Sequence, residues 1–379
     1  MSTRPGRWIL ATLLITALTF GLFGCPCTTP PAQARNFEMF IPGYEGCYDR
    51  KTQPYTFAVD AHNHFRPFGG EAVPFEEMLD YLRKTNVYFV NIYGIGQKLP
   101  PNSSCNYYLD CPGTPVTPSL SNDFVNADNI AARLPNNLPS DIHLTLAMTF
   151  PDLANPKEIE TQMALLDKEY PGMFTWMGEV NVVKQALFGN HHEAVPIKAI
   201  DEWKGFMAEL RRRGMPISFH SDIGNHDEPL KYLPLMERIL ELYPDNTIVW
   251  HHMGLSKELP DMDPVQHISI MRRLLDANPN LSLDISWRVI YDNYFKQPDS
   301  RAMYVKFLNQ YHNRILPGTD FVAAASKTFA IYKKEVAATS DIQKDLNDQA
   351  FRNIALGGNY FRLLRLPYQA PRVCRVGVK

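Results

Sequence analysis

Two histidines one residue apart, His62 and His64, close an apolar run that reads Thr56–His64. In an extended strand residues i and i+2 point to the same side, so both imidazoles can face one point. That is what a first-row divalent ion such as zinc needs, with carboxylates to complete its ligand set. A His-x-His is common on protein surfaces, and its weight depends on what faces it. Five further candidates end other apolar runs: Glu179 in Trp-Met-Gly-Glu-Val, His220 in Ile-Ser-Phe-His-Ser, His251 and His252 in Val-Trp-His-His-Met-Gly, and Asp320 in Leu-Pro-Gly-Thr-Asp-Phe.

The elements that must position these residues can be counted. β-type runs fall at Thr56–His64, Val87–Tyr93, Ile142–Phe150, Phe174–Val180, Pro216–His220, Thr247–His252, Leu281–Trp287 and Ile315–Phe321. Stretches with helical spacing alternate with them, including Phe75–Lys84, Lys157–Glu169, Asp201–Arg213, Leu230–Leu242, Pro264–Asn278 and Ser300–Tyr311. Strict alternation predicts a parallel sheet, and eight units predict closure into a (β/α)8 TIM barrel. All strand C-termini of such a barrel converge on one face, where active sites lie. An open doubly wound sheet is the rival, but no Gly-x-Gly-x-x-Gly follows the first run. The irregular stretch from Gly94 to Asp123, rich in Pro, Asn, Ser and Tyr, falls on the catalytic face and is long enough for a lid or binding loop.

The order His-x-His, Glu, His, His, Asp over runs one, four, five, six and eight resembles the amidohydrolase superfamily. Val59-Asp60-Ala61-His62-Asn63-His64-Phe65 is similar to its first-strand signature, Ile315–Phe321 to its last-strand segment, and Ala350–Leu364 to the closing helix of the amidohydrolase-2 group. The resemblance covers about residues 56–366. It implies that His62, His64 and Asp320 hold a catalytic divalent ion, with zinc the expected metal, which lowers the pKa of a water to ~7. Asp320 would take that water's proton and return it to the leaving group. His220 and His252 would bind a second ion or polarise the substrate, making one ion or two possible. Glu179 resembles the glutamate version of a strand-four position that many members fill with carbamylated lysine. Lys184 lies beyond the end of the run and is not given that role.

Neighbouring strand residues face opposite sides, so only one of His251 and His252 should enter the barrel. His252-Met253-Gly254 resembles the family's pattern, which selects His252 and leaves His251 as a packing histidine. Asp60 is expected to orient the first-run histidines or cap the turn. Asp284, Trp287, Arg288 and Arg66 are candidates to contact an anionic or aromatic substrate. His191, His192 and His226 read as polar-loop residues, and His143, His267 and His312 as structural.

The expected activity is hydrolysis of an amide, ester or lactone bond in a small molecule by a metal-activated water. Decarboxylation or hydration of a small carboxylic acid is the enzymatic alternative, and a non-catalytic periplasmic binding lipoprotein the alternative of another class. A net charge of −2 with no basic block gives no electrostatic footprint for nucleic acid.

Residues 1–24 read as a signal peptide: Arg4 and Arg7 precede the apolar run Trp8–Gly24. Leu22-Phe23-Gly24-Cys25 resembles a bacterial lipobox, making Cys25 the lipidation candidate and the chain an exported, periplasmic or cell-envelope protein whose only membrane contact is that anchor. Ala32-Gln33-Ala34 offers cleavage for plain secretion, and a retained anchor is the third option. Residues 25–55 read as a lead-in, 56–366 as the barrel and 367–379 as a tail. Six cysteines fit an oxidising compartment, with Cys47 and Cys374 positioned to staple the barrel's ends and Cys105 and Cys111 to close a small loop.

Overall fold

The computed structural model describes residues 36–374, except 101–102, 106–110, 134–140, 150–152 and 154–155. The signal segment with Cys25, the end of the third run at Phe150 and parts of the Gly94–Asp123 stretch lie outside the described residues.

In chain order the strands are β1 (Cys47–Tyr48), β2 (Val59–His64), β3 (Phe89–Ile92), β4 (Gln97–Lys98), β5 (Thr117–Pro118), β6 (His143–Met148), β7 (Phe174–Val183), β8 (Ile217–Ser221), β9 (Ile248–Trp250), β10 (Leu281–Asp284), β11 (Ile315–Leu316), β12 (Phe321–Val322) and β13 (Arg372–Val373). Nine of them form one parallel sheet in the order β11-β10-β9-β8-β7-β6-β3-β2-β12. Every predicted run supplies at least one of these strands. The sheet is curled: β11 pairs with β10, β12 pairs with β2, and these outermost strands are separated only by Pro317–Asp320. Within that link the amide of Ala61 donates to the carbonyl of Pro317, and that of Asp320 to the carbonyl of His62. This is an α/β barrel arrangement, with helices between strands.

The strands are buried on both faces, as all-parallel sheets with helical cover must be. β2 and β3 are buried at every position. Helix Phe75–Thr85 turns Met78, Leu79, Tyr81 and Leu82 inward and leaves its charged residues outside. Acidic residues Glu76 and Glu77 occupy its first turn and Arg83 and Lys84 its last, which suits the helix dipole.

Two strands are irregular where chemistry-bearing residues sit. Register shifts between Asp60 and Asn63 in β2, and between Met177 and Val180 in β7, so His62 and Glu179 lie at bulges that re-aim side chains. At the neighbouring Gly178, φ is +131° and a Cβ would stand 2.8 Å from the Ser218 carbonyl, so only glycine fits.

The structure departs from expectation at three places. β7 continues to Val183 because Asn181 and Val183 pair with His220 and Ser221, so Lys184 follows the strand directly. β9 stops at Trp250, and His252 and Met253 take left-handed φ of 56° and 53°. The stretch Gly94–Asp123 is not wholly irregular: β4 and β5 pair antiparallel within it, and helix Ser121–Ala131 takes up its end.

At the far end, β1 pairs parallel with β13, and Phe40 and Tyr48 are fully buried. Both expected disulfides are present, Cys47–Cys374 with 5.0 Å between Cα atoms and Cys105–Cys111 with 6.1 Å.

Candidate active site

The C-terminal ends of the strands bring four of the expected ligands together. His62 Nε2 lies 3.2 Å from His64 Nε2, and both lie 3.3 Å from Asp320 Oδ1. Glu179 Oε2 is 3.2 Å from His64 Nε2 and 3.7 Å from His62 Nε2. His62, His64 and Glu179 are buried and Asp320 is 11% exposed.

The outer nitrogens decide what this cluster can bind. His64 Nδ1 is 3.1 Å from the Gly94 carbonyl, which can only accept, so Nδ1 carries the proton and a neutral ring turns a lone pair inward. His62 Nδ1 is 3.1 Å from Asp284 Oδ2 and 3.0 Å from Ser286 Oγ. With an ion bound and that nitrogen donating outward, the inward nitrogen would be the one to accept, the arrangement metal-bound imidazoles require. Two lone pairs and two carboxylate oxygens in close contact repel unless a cation lies between them. Four ligands bonded tetrahedrally at 2.0–2.1 Å stand ~3.4 Å apart. The observed separations match, so the residues fit a divalent ion.

Electrostatics point the same way. Burial opposes a charge on His62, but Asp320 and Asp284 outweigh it and push its pKa up to about 10. Asp320 and Glu179 are both held well below the usual carboxylate range: burial opposes this, but His62 acts on Asp320, and Lys184 and His220 act on Glu179. Asp284 is also lowered, chiefly by His62 against burial. The pocket therefore favours positive charge at the point where the four atoms meet.

His252 enters the barrel as expected, and His251 differs from expectation. His252 Nδ1 donates to the Ser286 carbonyl at 3.2 Å, and Nε2 has no hydrogen-bond partner and lies 3.9 Å from Asp320 Oδ2. His251 was expected to pack away from the barrel, yet neither ring nitrogen has a hydrogen-bond partner and its ring lies 4.0 Å from that of His62. The left-handed turn at His252 ends the alternation, so both rings enter. A second possible ligand group, His62, Glu179, His251 and His252, results. Burial lowers His252 to about 4 and His251 well below its ordinary value, so both are neutral donors to an ion.

His220 joins neither group among the described residues. Its Nδ1 is 2.5 Å from Glu179 Oε1 and its Nε2 is 3.1 Å from Asp222 Oδ1, so carboxylates take both nitrogens. Lys184 Nζ donates to the same Glu179 oxygen at 2.6 Å. The apolar pattern of the fourth run ends at Val180 and carries no signal for Lys184 at this point, whereas the strand itself runs on to Val183.

A cleft opens above Asp320, lined by Lys184, His220, Trp287, Arg288, Lys327 and Phe321 among others. Trp287 forms a wall, its ring 5.0 Å from His252. The Arg288 guanidinium is held by Asp292 at 3.0 Å and lies 3.6 Å from Glu335. Arg66 lines a separate depression with Lys98, Leu99 and Asn122, and only Phe68 is common to the two. Asp60 accepts from the amides of His62 and Thr319 and from the Thr319 hydroxyl, tying β2 to the link before β12. It fixes the turn that carries Asp320. Asp284, taken from the sequence as a substrate contact, is buried against His62 instead.

Residues 149–366, more than half of the chain, match the family model described as amidohydrolase (Amidohydro_2). The chain belongs to the amidohydrolase family. It is an enzyme of the metal-dependent hydrolase type, which agrees with a His/Glu/Asp cluster able to hold an ion. Solved structures similar to this amidohydrolase include an amidohydrolase from Burkholderia multivorans with bound zinc (11% identity, TM-score 0.49, covering 82% of this chain and 99% of that one). Others are dihydroorotase from Saccharomyces cerevisiae in complex with 5-fluoroorotic acid (12%, 0.46, 78% and 84%) and beta-aspartyl dipeptidase from Fervidobacterium islandicum in complex with a beta-Asp-Leu dipeptide (13%, 0.47, 85% and 75%). No curated protein matches the sequence.

Two predictions arise from the supports of this amidohydrolase site. Asp284→Asn leaves the His62 ring without its anionic acceptor, and should weaken divalent-metal affinity by about 10–100-fold. Competition with a chromophoric chelator measures it, and unchanged affinity would remove Asp284 from this role. The second concerns Asp123, buried beside Gly94, with Oδ2 accepting from the Thr149 amide at 2.8 Å. Burial pushes its carboxyl up to about 8, against the Thr149 hydrogen bonds. The folded protein then keeps a proton that the unfolded chain releases near 4, so this contribution is full below about pH 4 and is lost as pH rises through 8. Asp123→Asn should match the wild type in urea midpoint at pH 4 and exceed it increasingly towards pH 8.5. A constant difference across that range would contradict the buried proton.

Proposed function

We propose that this enzyme hydrolyses an amide, ester or lactone bond in a small molecule at a metal centre held by His62, His64, Glu179 and Asp320. One observation carries the reading: two imidazole nitrogens and two carboxylate oxygens from different strand ends lie within 4.8 Å of one another, each carboxylate oxygen 3.2–3.7 Å from both nitrogens. A divalent ion bound there, zinc being favoured by the nitrogen and oxygen donors, supplies an acidified water and polarises the scissile carbonyl.

The chain's own residues do the rest. Asp320 Oδ2, turned away from Oδ1 and facing His252, is free to take the water's proton and pass it to the leaving group. His252 and His251, neutral and without hydrogen-bond partners, can orient the substrate oxygen or exchange into the ligand set. Trp287 and Phe321 exclude water from one side of the cleft, while Lys327 and Arg288 stand where an acidic substituent would be held. Counting β11 and β12 as two pieces of one strand gives the eight-unit (β/α)8 barrel over residues 56–366. Two disulfides support an exported protein, and the Leu22–Cys25 motif supports a lipid anchor at the cell envelope.

The test is a panel of amides, esters, lactones and small carboxylic acids, assayed for hydrolysis and for CO₂ release before and after chelation. Hydrolysis that is lost on chelation and restored by zinc or manganese is expected. Release of CO₂ without hydrolysis would replace this reading with decarboxylation.

A further inference from the structure

The two oxygens of Glu179 face different surroundings. Oε2 faces His64 and His62. Oε1 accepts from Lys184 Nζ at 2.6 Å and contacts His220 Nδ1 at 2.5 Å. His220 is fixed on its other side by Asp222, and Asp222 in turn accepts from the Gln185 amide at 2.8 Å. Lys184 is 7% exposed and has Phe68 5.6 Å from its ammonium, so it is packed in place and does not sweep through solvent.

A carboxylate that gives one oxygen to each of two ions needs both oxygens, and here Oε1 is taken by Lys184 and His220. We infer that Lys184 occupies the place of a second metal ion beside Glu179, so that the enzyme carries a single ion. The inference rests on the metal centre proposed above and goes beyond it by assigning ion number to a named side chain. Lys184 is a positioning residue: its ammonium balances Glu179 and keeps Oε2 turned towards His62 and His64.

The second ligand group is consistent with one ion. Both groups use His62 and Glu179, and His62 has only one nitrogen left, since Nδ1 is committed to Asp284 and Ser286. The groups therefore describe two placements of one ion. Glu179 and Lys184 are five residues apart across the end of β7, where the register shifts between Met177 and Val180 and between Asn181 and Val183 break the regular rise of the strand, and the long lysine side chain reaches back to the glutamate.

Metal counting tests this. The full chain, stripped by a chelator, is titrated with cobalt or manganese, freed of excess ion by gel filtration and assayed for metal per chain. The wild type should hold one ion, and so should Lys184→Arg, which keeps the cation. Lys184→Met and Lys184→Gln remove the cation from Glu179 Oε1 and leave its contact with His220, with side chains only one atom shorter, and should hold two, with magnetic coupling between paired manganese ions in the resonance spectrum. Circular dichroism accompanies each count. Two ions in the wild type overturn the inference whatever the variants do, and one ion in a folded Lys184→Met or Lys184→Gln protein overturns the role of Lys184. A wild type that holds no ion fails the metal centre itself, a result distinct from holding two.

Discussion

Asp320→Asn is expected to lower kcat by about 10²–10⁴-fold on any substrate the enzyme hydrolyses, with the metal still bound. The carboxylate sits at the meeting point of the site, with Oδ1 3.3 Å from the inward nitrogens of both His62 and His64 and Oδ2 3.9 Å from His252. It is held ionised despite burial, mainly by His62, and so is charged and able to accept a proton at neutral pH. Asparagine preserves shape and can still offer one oxygen, but it cannot take a proton from water. The backbone there is already committed: φ at Asp320 is 54°, a left-handed value that asparagine tolerates as well as aspartate. A fall in folding stability therefore should not accompany the loss. The diagnostic result is low kcat with unchanged metal content; turnover equal to the wild type would assign the proton transfer to another group, His252 being the nearest.

The largest effect on stability is expected from the Cys47–Cys374 bridge. It joins residues 327 apart in sequence and fastens β1 to β13. Closing so long a loop restricts the unfolded chain, and removing such a bond costs about 2–5 kcal/mol. Cys47→Ser/Cys374→Ser should lower the unfolding free energy by that amount, read as a lower denaturant midpoint at unchanged slope, without altering metal affinity. Cys105–Cys111 spans only 6 residues and should matter much less to global stability. The wild type in a strong reductant should behave like the double variant. An unchanged midpoint would mean that the pairing of β1 and β13, with Phe40 and Tyr48 buried nearby, holds the ends alone.

The sequence was most informative where residue type and strand period acted together. His62 and His64 could be placed because i and i+2 share a face of an extended strand, and Asp320 because its run closes the alternation. Period alone failed wherever the backbone leaves regular geometry. His251 was assigned outward by alternation, but β9 ends one residue earlier and the left-handed turn at His252 brings both rings in. Trp287 and Asp320 share this left-handed habit, with φ of 77° and 54°. Such conformations cost of order 1–3 kcal/mol each and persist where surrounding contacts enforce them. No propensity rule marks them in advance.

Lys184 was missed for a related reason. Its role depends on three extra residues of β7, set by pairing with β8, a non-local interaction that the apolar pattern of Phe174–Val180 does not record. Ser286, which bonds both the His62 and His252 rings, was equally hidden, although its position two residues after Asp284 places it on the same face. Arg66 shows the converse. Its closeness in sequence to His64 suggests the substrate cleft, but the chain bends at Phe65 and Arg66, and Arg66 lines a neighbouring depression.

The central claim is that His62, His64, Glu179 and Asp320 form one metal centre, and elemental analysis of purified protein tests it most directly. The full chain should retain a stoichiometric divalent ion, and His62→Ala and His64→Ala should each lose it while remaining folded by circular dichroism. Folded wild-type protein that takes up no zinc, manganese, iron or nickel, even at saturating concentration, would contradict the account.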